Sequence, residues 1–337
     1  MSLNSIGDQA RNYAMQQATN RLKTTMTTLT QEMSSGEVAD VGQRLEGNTR
    51  ALHQIEGRLS RTTQLQQNAA EAAVQLQAIQ DVFSGVRSVT NDLGVNLLSD
   101  PFAASTAQLG TRATEVANAL NTVIQRLNGM DSNRYLLSGL ASDQPPLVPA
   151  DQLLDSLEAV TAGLTTADQI GAAIADWFDA PAGAGGFLDN AYRGTTGEGA
   201  TIPVTERETV QVTTSAAAPA VRDLLKGLAT AAILDRGALA GQTDERAALL
   251  RQSGHALIAA DAGLLGEMGR VGLEQQAVTR AQTENASVLS TLEVSRNDIR
   301  RADPYETATA LTEVQTQIET LFAVTARLSR LNLVDYL

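Results

Sequence analysis

The chain has 337 residues, 38 acidic against 25 basic side chains and a formal net charge of −13. Such a balance argues against nucleic acid and against anionic membrane surfaces as partners, because like charges repel. Cysteine is absent and histidine occurs only at His53 and His255, which excludes disulfides, thiolate chemistry and a histidine-rich zinc site.

No run approaches the length of a transmembrane helix. The first residues, MSLNSIGDQARNYAMQQ, lack the basic and apolar regions expected of a cleavable signal peptide. Aromatic residues make up only 3% of the chain. Long helices zipped by small and aliphatic side chains are therefore expected in place of one thick globule. Proline maps the layout: six of the eight lie between 145 and 219, and none between 1 and 100 or between 220 and 303. Interior proline breaks helices, so both ends should be helical and the middle should hold the turns.

In chain order, Met15, Ala18, Leu22, Met26, Leu29 and Met33 recur at helical spacing, and Gly36 in SSGE ends that pattern. A second, longer pattern runs through Leu52, Ile55, Leu59, Thr62, Ala69, Ala73, Leu76, Phe83, Val86 and Leu93. It stops at LLSDPFAAST, where Asp100 is expected to cap a third helix with Pro101 at its first position. That helix should reach about Leu127 and end at Gly129.

Residues 141–240 hold 13 acidic and 5 basic side chains and read as a solvated, turn-rich insertion. Short helices are expected at 151–163, 166–178 and 219–233. Ile202, Val204, Val210 and Val212 alternate as in a small hairpin. A fourth long helix is expected from Thr243 as cap, with Leu250, Leu257, Leu264, Met268, Val271, Val278, Leu289 and Leu292 on one seam. Asp261, Gln275, Gln282 and Asn285 share that seam; they either set register or face water.

A last helix restarts at ADPYETATAL, with Asp303 as cap, Pro304 at the first position and Glu306 at capping-box spacing. Leu311, Val314, Ile318, Leu321, Thr325 and Leu328 then step by three and four residues, which is a heptad seam. An apolar seam there needs a partner. The expected one is the seam of Leu22, Met26, Leu29 and Met33. Two thin helices cannot bury all their apolar surface, so further copies could cover the rest.

LTQEMSSGE at 29–37 and DPYETATALTEVQTQIETLFAVTARLSRLNLVDYL at 303–337 resemble the terminal regions of the flagellin superfamily. NGMDSNRYLLSGLASDQPPL at 128–147 is most similar to the family of hook–filament junction proteins called hook-associated protein three. After Gly36 the sequence departs from filament flagellins: EVADVGQRLEGN lacks their basic and Asp-rich stretch. The resemblance covers about 1–147 and 243–337.

It implies a mainly α fold: a long antiparallel helical bundle or coiled coil from the two ends, with a small mixed α+β inserted surface domain. The divisions are an inner-tube helix at 1–44, long-helix parts at 45–139 and 241–302, an insert at 140–240, and an inner-tube helix at 303–337. The implied function is a structural, non-enzymatic subunit joining hook to filament by polymerising through paired terminal helices. A filament subunit is the alternative, and an enzyme carried by the insert a remote one. The implied partners are copies of itself in a ring or helical tube, another hook-associated protein, flagellin and an export chaperone. The implied location is the extracellular hook–filament junction, reached by type III export.

Other candidate sites have plainer readings. Tyr135 to Gly139 reads as a turn packed on helices, Asp303 with Glu306 as a cap, and His255 as a packed or surface residue. GAGG at 183–186 and GEG at 197–199 lack the Lys-Ser/Thr of a phosphate loop and read as flexible loops. No cofactor is expected.

Overall fold

The computed structural model describes residues 3–99, 105–197 and 199–334, with side chains described between 9 and 327. It is mainly helical, with two small antiparallel hairpins. The helices are α1 (Leu3–Ser35), α2 (Val41–Arg44), α3 (Arg50–Thr90), α4 (Leu93–Leu98), α5 (Thr106–Leu127), α6 (Ala150–Thr161), α7 (Ala167–Asp179), α8 (Phe187–Asn190), α9 (Pro219–Ala232), α10 (Thr243–Arg300) and α11 (Pro304–Val334). Strands β1 (Met130–Asp131) and β2 (Arg134–Tyr135) form one hairpin, β3 (Ala200–Pro203) and β4 (Thr209–Val212) the other.

The chain forms two compact units. One comprises 1–61 and 287–337, the other 62–286. In the second, α3 and α10 each bury a heptad stripe: Ala69, Ala72, Leu76, Ile79, Phe83 and Val86 on α3, and Leu250, Leu257, Leu264, Val271 and Val278 on α10. The side chain of Gln80 donates to the Met268 carbonyl at 2.7 Å, and Gln275 donates to Gln77 at 3.1 Å. Residue numbers rise on α10 as they fall on α3, so the pair is antiparallel. Helix α5 buries Leu109, Ala113, Val116, Leu120, Val123 and Leu127, again by fours and threes, and packs on α9 and α6.

Several boundaries differ from expectation. The second long helix breaks at Asn91–Asp92 and resumes as α4, although Leu93 and Leu97 remain buried. The third helix starts at Thr106, where Ser105 and Gln108 form a reciprocal capping box. The expected cap Asp100 and the expected start Pro101 lie outside the described residues. Thr243 is the first residue inside α10, not its cap, and its hydroxyl meets that of Thr106 at 3.3 Å.

The insert is α+β as expected, and its second hairpin pairs Ile202 with Val210. Its acidic composition, however, describes only its surface. Leu153, Leu157, Ile174, Trp177, Phe178, Phe187, Val221, Leu224 and Leu228 are buried in one cluster with Leu76 of α3, Leu120 of α5 and Leu257 of α10. Helix α7 packs on α6, α9 and α8. Phe178 stacks on Phe187 with centroids 5.2 Å apart, and Trp177 meets both edge-on. The segment therefore shares the core of the long helices and is not a solvated appendage.

Candidate functional site

The two terminal helices lie against each other. α1 packs against α11, and two fixed points set their register. Near the helix ends, Ala302 N–H donates to the Gly36 carbonyl at 2.9 Å and Val38 N–H to the Arg300 carbonyl at 2.9 Å. Further along, the Thr325 hydroxyl lies 3.8 Å from Met15 Sδ. The helices thus run antiparallel. Equal steps from Met15 and Thr325 place Leu22 level with Ile318, Met26 with Val314 and Leu29 with Leu311.

Val314 is buried, while Leu22, Met26, Leu29, Leu311, Ile318 and Leu321 are half-buried. Met33 remains exposed. The side chain of Leu328 lies outside the described residues.

The breaks that begin and end this pair are clasped together. Gly36 adopts φ +72, a left-handed conformation that glycine takes without a Cβ penalty. The next residue, Glu37, bridges to Arg301 and forms an ion pair with Arg300 at 2.8 Å. Arg44 of α2 donates to the Arg301 carbonyl at 2.9 Å. The Glu32 carboxylate accepts from Ala39 N–H at 2.8 Å. At the start of α11, Asp303 accepts from the N–H groups of Tyr305 and Glu306 at 2.8 and 3.2 Å, so this carboxylate is a helix cap.

Both helices are rich in threonines whose hydroxyls donate to the carbonyl four residues back, among them Thr24, Thr27, Thr30, Thr312, Thr316 and Thr320. These hydroxyls satisfy themselves locally and leave the apolar positions to carry any contact. Tyr13, Met33, Tyr305, Phe322 and Val324 are exposed, Phe322 at 54% and Val324 at 43%. Residues two apart on a helix point to opposite sides, so Phe322 and Val324 leave apolar surface on more than one flank of the pair.

The other candidates resolve into structure. Leu136, Leu137 and Ser138 are buried. Ser138 donates to the Gln144 carbonyl, Ala216 N–H donates to that of Leu137, and Gly139 turns at φ +66. The Tyr135–Gly139 stretch is thus a packed turn. Tyr135 and Leu136 also line a cleft of about 610 Å³, together with Glu71, Val74, Arg134 and Ile202.

The GAGG loop is an ordered nest filled by the chain's own anion. Asp189 accepts from Gly183 N–H at 2.8 Å and from Gly185 N–H at 2.7 Å. These bonds hold its carboxyl below the ordinary range. In the second glycine loop, Glu198 lies outside the described residues. His255 is exposed.

Of the polar residues on α10, Asp261 binds Arg87 of α3 through two hydrogen bonds at 2.6 and 3.2 Å, and Gln275 reaches Gln77. Asn285 is buried and donates to the Val204 carbonyl at 2.7 Å. Gln282 is half-buried. Sequence reasoning missed two further polar members of the buried stripe. Ser253 donates to the Gly227 carbonyl at 2.7 Å, and Glu267 pairs with Arg270. Their heptad positions, seven and fourteen residues from Ala260 and Ser253, were the signal available. Among the described residues no group of three or more acidic or histidine side chains could hold a metal ion. No described helix is long and apolar enough to cross a membrane.

Comparison with known proteins places this geometry. Residues 260–337 match the model of the bacterial flagellin C-terminal helical region. No curated protein matches the sequence. Among solved structures, a putative flagellar hook-associated protein from Vibrio parahaemolyticus is similar at 14% identity and TM-score 0.52. The match covers 75% of this chain and 99% of that one. FlgL of Bacillus cereus is similar at 14% identity and TM-score 0.48, covering 72% of this chain and 99% of that one. The family match bears out the flagellin-type character of residues 260–337, and the structure from Vibrio parahaemolyticus shares the fold of this chain.

Proposed function

We propose that this chain, with a flagellin-type helical region at its C-terminal side and the fold of a flagellar hook-associated protein, is a structural subunit of the bacterial flagellum. In this reading it polymerises through the α1–α11 pair and joins hook to filament. The observation that carries the reading is that pair: in register, clasped at one end, half-buried along its seam and still apolar on more than one flank. A helix pair with exposed apolar side chains on opposite sides fits a site surrounded by several neighbours, as in a ring or tube. The neighbours would be further copies, another hook-associated protein below and flagellin above, outside the cell, after export with a chaperone. No part of this role needs a catalytic site.

Phe322→Asp/Val324→Asp tests it. Both side chains are exposed in the single chain, so melting should not change. Burying them against neighbours is worth roughly 1.5–3 kcal/mol each, which the charges would forfeit. Cells carrying the variant should secrete it yet shed flagellin into the medium and lose swimming. Normal swimming would overturn the assembly reading. Immunogold labelling separates the two flagellar roles: one band at the hook end marks a junction protein, and label along the filament marks a filament subunit.

A further inference from the structure

The β3–β4 hairpin has two edges, and the chain treats them differently. In an antiparallel ladder, residues that exchange hydrogen bonds alternate with residues whose N–H and C=O point away from the partner strand. Val204 N–H donates to the Glu208 carbonyl at 3.0 Å, and the register carries that bonded set on to Ile202 with Val210 and Ala200 with Val212. Thr201 and Pro203 on β3, and Thr209 and Gln211 on β4, therefore turn their backbone groups outward. The β3 edge is stopped: Pro203 has no N–H, and its carbonyl accepts from the Asn68 side chain of α3 at 3.1 Å. The β4 edge is not. Outside the ladder, no hydrogen bond from a described residue reaches the backbone of Thr209 or Gln211. The sequence there, TVQVTT at 209–214, has no charge and no proline, and is threonine and valine around one glutamine. This bare edge borders a groove of about 270 Å³, lined by β4 on one side and by Arg270, Val271, Leu273 and Glu274 of α10 on the other, with Leu76 of α3 between. Leu273 is 65% exposed, although it is a large apolar side chain.

We propose that the β4 edge takes up an extended, uncharged segment of another protein, which adds a strand to the hairpin on the side of α10. The edge selects the occupant. Outward N–H and C=O groups are satisfied by a second extended backbone and not by a helix, whose backbone groups bond to one another. The groove lies between β4 and α10, so what enters it is a single strand. A second copy has none to offer: its β4 has β3 on one side and α10 across the groove on the other, and its β3 edge is stopped by Pro203. A charged side chain facing the uncharged stretch 209–214 would lose water without gaining a partner, so the segment is uncharged as well. Successive side chains of a strand point to opposite faces, so alternate side chains of the segment cover Leu273. Nothing in this site draws on the α1–α11 pair, so strand addition and polymerisation can fail independently.

The probe is a fluorescein-labelled peptide of alternating threonine and valine, capped at both ends, titrated with the full chain and read by fluorescence anisotropy. Its control has proline in place of each threonine, which removes the donors a strand needs. The first peptide should bind and the second should not. Gln211→Pro copies onto β4 the device that guards β3: it removes an outward N–H and no ladder bond. Leu273→Glu removes the exposed apolar wall without touching the hairpin, and should leave melting unchanged. Each should weaken peptide binding about tenfold, in line with one lost hydrogen bond or one lost apolar contact. Thr201→Pro, the same change on the guarded edge, should leave binding as it was. Absence of binding by the threonine–valine peptide, equal binding of the proline peptide, or equal effects of Gln211→Pro and Thr201→Pro would overturn the proposal. So would binding indifferent to Leu273→Glu. Self-association of the full chain that Gln211→Pro abolished would assign the edge to a second copy and overturn it as well.

Discussion

Trp177 is the only tryptophan in the chain, and it sits in the insert against Phe178 and Phe187. Its fluorescence therefore reports the insert, while circular dichroism at 222 nm is dominated by the long helices. If the core is continuous, replacing Phe187 by alanine should lower both transitions together. Phe187 is fully buried, and a buried Phe→Ala change costs about 3–5 kcal/mol. That cost already includes the loss of its stacked and edge-on partners. In a unit the size of 62–286, each kcal/mol moves the midpoint by about 2–4 °C, so a fall of order 10–20 °C is expected. The reciprocal change, Leu76→Ala on α3, should pull the Trp177 transition down by the same route, at about 2–5 kcal/mol. Coincident transitions from the two probes are the signature of one cooperative unit. If Phe187→Ala shifted only the fluorescence and left the dichroism trace in place, the insert would be an independent domain and the shared-core argument would fail.

Asn285→Ala should destabilise by about 1–3 kcal/mol, because it leaves the buried Val204 carbonyl without its donor; urea unfolding would measure this. The Arg87–Asp261 pair is about a third exposed, so a double-mutant cycle should give a coupling of no more than about 1 kcal/mol, and less in high salt. Asp189 has a lowered pKa in the folded chain, so its contribution is present above the ordinary carboxylate value of 3.8 and is lost as pH falls through the lower folded value. Asp189→Asn should therefore remove a stabilisation seen at neutral pH and flatten the acid limb of a stability-against-pH curve; an unchanged limb would refute the nest's role.

The seam of the terminal helices was legible because heptad spacing survives in both segments and fixes which residues can meet. Leu22 and Ile318 could be paired on paper, and the fold sets them level. The break at Asn91–Asp92 was not legible, since Leu93 and Leu97 continue the apolar rhythm across it. The β1–β2 turn was missed because Ser132 and Asn133, at φ 47 and 63, take the left-handed positions that an Asn-Gly pair usually signals. The order in the GAGG loop was hidden for a similar reason: glycine reads as freedom until Asp189, three residues past the loop, is seen to tie it. The shared core was obscured by averaging. Acidic side chains set the net charge of 141–240, while most of its leucines and its four aromatics, Trp177, Phe178, Phe187 and Tyr192, lie inside, and composition does not separate the two populations.

The clasp between Gly36–Arg44 and Arg300–Ala302 has a mechanical consequence. An element held by one strand of backbone can swivel about it, because single bonds on that strand resist twisting weakly. The α1–α11 pair is instead attached through two chain crossings, and those crossings are stitched to each other by backbone hydrogen bonds and an ion pair. Rotation of the pair about its long axis must then shear several short bonds at once. Torque applied at the terminal helices would be met at the clasp as a couple shared between two strands, as in a yoke and not in a thread.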